Sequence, residues 1–272
     1  MMDSSRIAFI GGGNMAGAII GGLIRQGLAP AQIAVVEPVA QARERLQQQF
    51  GVAAQEHAGA ALASGGLVVW AVKPQTFKDA AAQARARVQQ ALHLSVAAGI
   101  RSDSIAGWLG TGRIVRAMPN TPALVGQGMT ALFARPGVTA QEQARIEQVI
   151  ATTGEFLWVA AEQQLDAVTA LSGSGPAYVF YFLEAMTQAG AEMGLGAEQA
   201  RRLAVGTFAG ASGLARASEE PLQVLRERVT SKGGTTHAAI TSMEQDQVKA
   251  AFVKALHAAC QRAGELGDEF GK

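Results

Sequence analysis

Ile7-Ala8-Phe9-Ile10-Gly11-Gly12-Gly13-Asn14-Met15-Ala16 is the stretch whose reading decides the fold. Its first four residues are continuously apolar, as expected of a strand covered on both faces. Gly11, Gly13 and Ala16 then occupy the small positions of a G-x-G-x-x-A pattern. The first small residue permits a tight turn, the second lets backbone approach a pyrophosphate, and the third lets the following helix pack close to the strand. A helix is predicted over Asn14–Leu23. Its free N–H groups and its dipole favour an anion at the start. Strand, glycine turn and helix at the head of an α/β domain point to a bound dinucleotide.

Outward from that turn, short apolar runs recur at Ile33–Val36, Leu67–Val72, His93–Ala97 and Arg113–Ala117. Between them lie stretches such as Ala40–Gln49 and Phe77–Leu92, rich in Ala, Gln and Arg, which are good helix formers. Strands separated by helices of this length imply βαβ units and a parallel sheet. Glu155–Val159 reads as one last strand. Beyond Leu165 the pattern is helical: Ser174-Gly175-Pro176 reads as an N-cap with proline in the first turn, opening Ala177–Glu192. Ala197–Ala217 and Gln247–Glu269 follow. The expectation is an α/β fold with an N-terminal dinucleotide-binding (Rossmann) domain over 1–160 and an all-helical domain over 161–272. Gly206, Gly210 and Gly213 inside the second long helix suggest a close helix crossing, and the apolar helices suggest pairing with a second copy.

Composition narrows the function. Lys plus Arg number 23 against 22 Asp plus Glu, so the net charge is +1. That balance argues against nucleic acid as a partner. One cysteine, Cys260, allows no internal disulfide and no thiolate metal cluster. No apolar leader stands between Met1 and Arg6, and no run of 18 apolar residues occurs. A cytoplasmic protein with no metal and no membrane contact is expected.

Glu37 lies 24 residues after Gly13, near the ~20 at which an acidic residue holds the adenosine ribose. Its carboxylate favours the 2′-hydroxyl of NAD, whereas Arg43 and Arg45 pull towards NADP. The four histidines are His57, His93, His237 and His257, and residues 151–231 contain neither His nor Lys. A dehydrogenase with a lysine acid in its first helices after the Rossmann domain is thereby disfavoured. Reduction of an imine fits better, because a protonated C=N is already electrophilic. His237, in the first turn of a helix, reads as structural or exposed. The hydroxyl- and glycine-rich loop Val229–Thr236, leading into a helix near Thr235, offers N–H groups and hydroxyls to a carboxylate.

Six blocks together resemble pyrroline-5-carboxylate reductase: Ile10–Ala16, Ala71–Gln75, Ser95–Gly99, Met118–Pro122, Leu171–Tyr178 and Thr230–Thr236. The resemblance runs over almost the whole chain. It implies hydride transfer from NADPH or NADH to Δ1-pyrroline-5-carboxylate, giving L-proline, the last step of proline biosynthesis. It places Gly11, Gly12, Gly13, Asn14 and Met15 at the pyrophosphate, Glu37 at the adenosine ribose or its phosphate, and Val72, Lys73 and Pro74 along the cofactor. Ala98 and Asn120 fall near the nicotinamide. Ser231, Gly234, Thr235 and Thr236 match the substrate-carboxylate loop, with the Thr236 hydroxyl towards the ring nitrogen as the catalytic group and Glu162 near the substrate. Arg228 stands where the family often has asparagine. The resemblance also implies an interlocking dimer with the substrate site at its interface, extending to a decamer of five dimers. A reductase of another cyclic imine or keto acid on the same architecture, and a non-catalytic dinucleotide sensor, are the rival readings.

Overall fold

The computed structural model of the chain describes residues 6–60, 62 and 65–271. Strand β1 (Arg6–Ile10) leads through the glycine turn into α1 (Asn14–Arg25), then β2 (Ile33–Val36), α2 (Ala40–Phe50) and the two-residue β3 (Ala54–Gln55). The chain continues through β4 (Gly65–Trp70), α3 (Pro74–Val88), β5 (Leu92–Ser95), α4 (Ser102–Leu109) and β6 (Ile114–Met118). It then forms β7 (Gly128–Ala134), α5 (Ala140–Ile150) and β8 (Gly154–Trp158).

These strands make one sheet in the order β3-β2-β1-β4-β5-β6-β7-β8. Every neighbouring pair is parallel except β6 and β7. The strand order reverses direction between β1 and β4. That is the switch point of a doubly wound sheet, where ligands bind beyond the carboxyl ends of the strands. Helices cover both faces. Phe9, Ile19, Leu23, Leu46 and Ile146 belong to one buried cluster. Trp70, Phe77, Ala81, Ile105 and Leu109 belong to the other. The central strands β1, β4 and β5 are buried on both faces and largely apolar, whereas the edge strand β8 alternates between half-buried and exposed residues.

Several boundaries move from their predicted places. The run predicted from Leu67 starts at Gly65 and ends at Trp70, so Val72 lies past the strand. The helix predicted from Phe77 starts at Pro74, where proline's missing N–H costs nothing in a first turn. Strands β3 and β7 were not predicted: the first is too short to show a pattern, and the second is masked by the glycines at 126 and 128.

Contacts divide the chain into two compact units, one running to Ser174 and resuming at Ala259, the other Gly175–Ala258. The first unit also holds α6 (Gln164–Val168) and a π-helical turn, Thr169–Gly173. Ser174 is not the expected N-cap. Its backbone is helical and its N–H donates to the Thr169 carbonyl at 2.8 Å, closing the π turn.

The second unit is helical: α7 (Gly175–Glu192), α8 (Ala197–Arg216), α9 (Leu222–Arg228), α10 (Thr235–Gln245) and the first half of α11 (Val248–Phe270). Only Gly190, Ala200 and Ala204 are buried among its residues. The α7–α8 contact is tight at one place, where a Cβ on Gly190 would stand 2.8 Å from that of Ala200. The close crossing expected at Gly206, Gly210 and Gly213 is not formed among the described residues: no neighbouring element lies within 4 Å of where a Cβ on any of the three would stand. Their side of α8 is open. Tyr178 and Phe182 pack edge-on against Phe252, whereas Phe180 and Tyr181 face outward.

Candidate active site

The glycine turn sits at the switch point. Gly11 has φ +97°, which an L side chain rarely adopts, and a Cβ there would stand 2.5 Å from the Ala71 carbonyl oxygen. The Gly11 N–H donates to the Val36 carbonyl at 2.8 Å, tying the turn to β2. A Cβ on Gly12 would strike Leu46 Cδ1 at 2.7 Å, whereas Gly13 has nothing within 4 Å. The turn is therefore closed towards the protein and open at the start of α1, where no side chain caps the helix. Such an opening, lined by backbone N–H groups at a helix start, fits a pyrophosphate.

Glu37 is buried beside this turn, and its carboxylate faces inward. One oxygen accepts from the Gly12 N–H at 2.7 Å and the other from the Val39 N–H at 2.8 Å. Arg45 donates to the Gly12 carbonyl at 2.9 Å. Arg43 donates to the Glu37 and Pro38 carbonyls at 2.9 and 2.8 Å. Both guanidinium groups thus lie next to the place where the second phosphate or the ribose of a dinucleotide would enter.

Further along the same carboxyl edge lie Val72, Lys73 and Pro74 after β4, the exposed Ala98 after β5, and Asn120 after β6. The fold therefore brings the predicted cofactor residues to one edge. Asn120 is committed inside the protein: its Oδ1 accepts from the Met129 N–H at 2.9 Å and its Nδ2 faces Ser172.

Glu162, in the first unit, is held by groups from β6 and the start of α4. Oε1 accepts from Arg116 at 2.7 Å and from the Ser102 N–H at 2.6 Å, while Oε2 accepts from the Ser102 hydroxyl at 2.7 Å. Burial alone would raise its pKa. The donors from Ser102 and Arg116 outweigh burial and hold it below the usual carboxylate range. Next to it Arg101 grips Asp166 with two bonds of 2.9 and 2.8 Å. Sequence reading missed Arg116, Ser102 and Arg101 because nothing in their spacing announces a cluster built across the sheet.

In the helical unit, Gly233 has φ +76° and Gly234 is the extended N-cap of α10. The N-cap position is thus a glycine, and no side chain caps the helix. The Gly234 N–H donates to the Ser231 carbonyl at 3.0 Å, folding the loop back on itself. Thr235 and Thr236 open the helix, and their hydroxyls find no partner among the described residues. Free hydroxyls and free N–H groups at one helix start suit a carboxylate. Arg228 is paired with Glu220 at 2.5 Å, and His237 is exposed. No cluster of three or more His, Cys, Asp or Glu side chains able to hold a metal occurs among the described residues.

Comparison with known proteins agrees with this architecture. Residues 162–266 match the family model described as pyrroline-5-carboxylate reductase dimerisation. Residues 6–99 match that described as NADP oxidoreductase, coenzyme F420-dependent. A pyrroline-5-carboxylate reductase of Pseudomonas aeruginosa is 45% identical over 273 residues, covering 100% of both chains. A solved pyrroline-5-carboxylate reductase from Coxiella burnetii superposes with a TM-score of 0.89 at 38% identity, covering 97% of this chain and 99% of its own. The Plasmodium falciparum pyrroline carboxylate reductase, solved with NADP bound, gives 0.88 at 25% identity, covering 98% and 100%.

Proposed function

The chain belongs to the pyrroline-5-carboxylate reductase family, and from that premise we propose how its own residues carry the reaction. It is an oxidoreductase that reduces Δ1-pyrroline-5-carboxylate to L-proline with NADPH or NADH. The observation that carries this reading is the pairing, in one chain, of an open glycine turn at a sheet switch point with an uncapped, hydroxyl-rich helix start.

The N–H groups of Gly13, Asn14 and Met15 hold the pyrophosphate, and Gly11 and Gly12 shape the turn. Val72, Lys73 and Pro74 line the path towards the carboxyl ends of β4 and β5, where Ala98 leaves room for the ring. The bound dinucleotide supplies the hydride that reaches the imine carbon. Ser231, Gly234 and Thr235 hold the substrate carboxylate. Thr236 directs its hydroxyl at the ring nitrogen, orienting the proton that the product amine keeps. Most of the acceleration is positional, since well-aligned reactants gain about 7–11 kcal/mol over free ones. Glu162, already satisfied by Ser102 and Arg116, supports the fold beside the site and does not touch substrate.

The inward-facing Glu37 leaves no carboxylate set against a 2′-phosphate, and Arg43 and Arg45 favour one. We therefore read NADPH as accepted at least as well as NADH. The exposed apolar side chains of the helical unit, Phe180, Tyr181, Leu203 and Leu214 among them, support self-association as a dimer. Assembly into a decamer of five dimers and a cytoplasmic location belong to the same reading. The lone cysteine, which needs no oxidising compartment, supports that location. Among the described residues no helix is long and apolar enough to cross a membrane.

The test is an initial-rate comparison of Δ1-pyrroline-5-carboxylate, its six-membered homologue and an open-chain keto acid with each reduced dinucleotide. Preferred turnover of the five-membered imine, with L-proline as product, is expected. Turnover of the homologue or of the keto acid in its place assigns the chain to the rival reductase reading.

A further inference from the structure

We propose that Asn120 is a positioning residue for hydride transfer: it acts through Ser172, whose hydroxyl it fixes at the carboxyl end of β6 as a hydrogen-bond donor for the reactive end of the dinucleotide. The proposal rests on the dinucleotide reading above.

Every polar atom of the Asn120 amide is spent within the protein. Oδ1 accepts from the Met129 N–H at 2.9 Å, while Nδ2 donates to the Ser172 carbonyl at 3.3 Å and to its Oγ at 3.2 Å. The side chain thus ties β7 and the π turn to the end of β6 and has no donor left for a ligand. A second contact presses the same turn down. A Cβ on Gly173 would stand 2.3 Å from Met118 Cε, so the turn lies directly against the side chain of the last residue of β6, which would have to shift to admit a larger residue.

The turn itself is wide. The Ser174 N–H reaches back five residues to Thr169, an arrangement that recurs at functional positions in helices. Because Ser172 Oγ accepts from Asn120, the hydroxyl proton must point elsewhere, and it meets no acceptor among the described residues. A half-buried hydroxyl with one lone pair engaged by Asn120 and its proton free is an oriented donor. It lies at the edge that also carries Val72–Pro74 and Ala98, beyond which a doubly wound sheet binds its ligand.

The experiment compares Asn120→Ala, Asn120→Asp, Ser172→Ala and the Asn120→Ala/Ser172→Ala double variant. It measures NADPH affinity by fluorescence titration, steady-state kinetics, and the primary isotope effect with NADPH deuterated at the transferred position. NADPH affinity should stay within about threefold of wild type, since the pyrophosphate contacts are untouched. The kcat should fall by about tenfold to a hundredfold, with a larger isotope effect as the hydride step becomes limiting. Asn120→Asp keeps the acceptor for Met129 and loses both donors, so it should behave like Asn120→Ala. The double variant should be no slower than the slower single, as expected of two residues acting as one unit.

Wild-type turnover in Ser172→Ala overturns the proposal. So do losses that multiply in the double variant. A tenfold or greater loss of NADPH affinity in Asn120→Ala with Ser172→Ala unaffected makes Asn120 a direct ligand and overturns it as well. Should Asn120→Ala fail to fold, Ser172→Ala and Asn120→Asp decide alone. A wild-type enzyme that binds no NADPH contradicts the dinucleotide reading itself, before any variant is compared.

Discussion

With φ at +97° and the Ala71 carbonyl 2.5 Å from where a Cβ would go, Gly11 tolerates no side chain. Gly11→Ala should cost at least the 1–3 kcal/mol of a strained backbone and weaken dinucleotide binding. Urea unfolding and NADPH titration measure both. Glu37 makes a separate prediction. Its oxygens brace Gly12 and Val39, so Glu37→Ala should weaken NADH and NADPH alike, as parallel titrations would show. A selective gain for NADPH would instead give Glu37 the ribose role expected from its spacing. Thr236→Ala should retain fold and cofactor affinity while raising KM and lowering kcat, and wild-type kinetics would remove the assigned role. The glycine turn was legible in the sequence because its demands are local. The inward turn of Glu37 was not, because the N–H groups that hold it arrive from the turn after β1 and the start of α2.

At the scale of elements, the cluster around Glu162 joins β6, the start of α4 and the approach to α6. Arg116 is buried, and burial lowers its pKa despite the opposing pull of Glu162. Removing one partner leaves the other charge buried and unpaired, which costs about 3–5 kcal/mol. Arg116→Met should lose stability on that scale by chemical denaturation, with Glu162→Gln losing less, because the Ser102 and Arg116 donors keep one acceptor oxygen. Neither variant should change NADPH affinity if Glu162 is structural. The parallel strands β1, β2, β4, β5 and β6 were readable from apolar runs alone. Strand β7 was not, since its antiparallel return depends on pairing with β6 and its flanking glycines resemble a loop. The π turn at Thr169–Gly173 was hidden for a related reason: Ser174-Gly175-Pro176 carries the local chemistry of a helix start, whereas the Ser174 N–H bonds back to the Thr169 carbonyl.

For the molecule as a whole, acid sensitivity and assembly are the measurable properties. His93 is buried in β5, where its Nδ1 accepts from the Trp70 indole N–H at 3.0 Å. Burial first, and the charge of Arg113 second, lower its pKa from 6.5 to about 4. The unfolded chain therefore binds this proton more readily than the folded one. The stability is fully present above pH 6.5 and is lost as pH falls towards 4, a change of about 3 kcal/mol. The depressed carboxyl of Glu162 adds to the loss at lower pH still. His93→Gln, which keeps an acceptor for Trp70, should flatten the slope of unfolding free energy across that window.

The helical unit, with only three small residues buried, has no core of its own to sustain a monomer. Sedimentation should find a dimer or a larger assembly, and Leu203→Glu with Leu214→Glu on the exposed face of α8 should weaken it. A stable wild-type monomer would contradict that expectation.

The most direct measurement is a crystal structure of the chain with NADPH and L-proline together. The account predicts the pyrophosphate on the N–H groups that follow Gly12 and the proline carboxylate against Ser231, Gly234 and Thr235, with Thr236 at the ring nitrogen. Proline bound far from residues 231–236, or a dinucleotide that avoids the glycine turn, would contradict it.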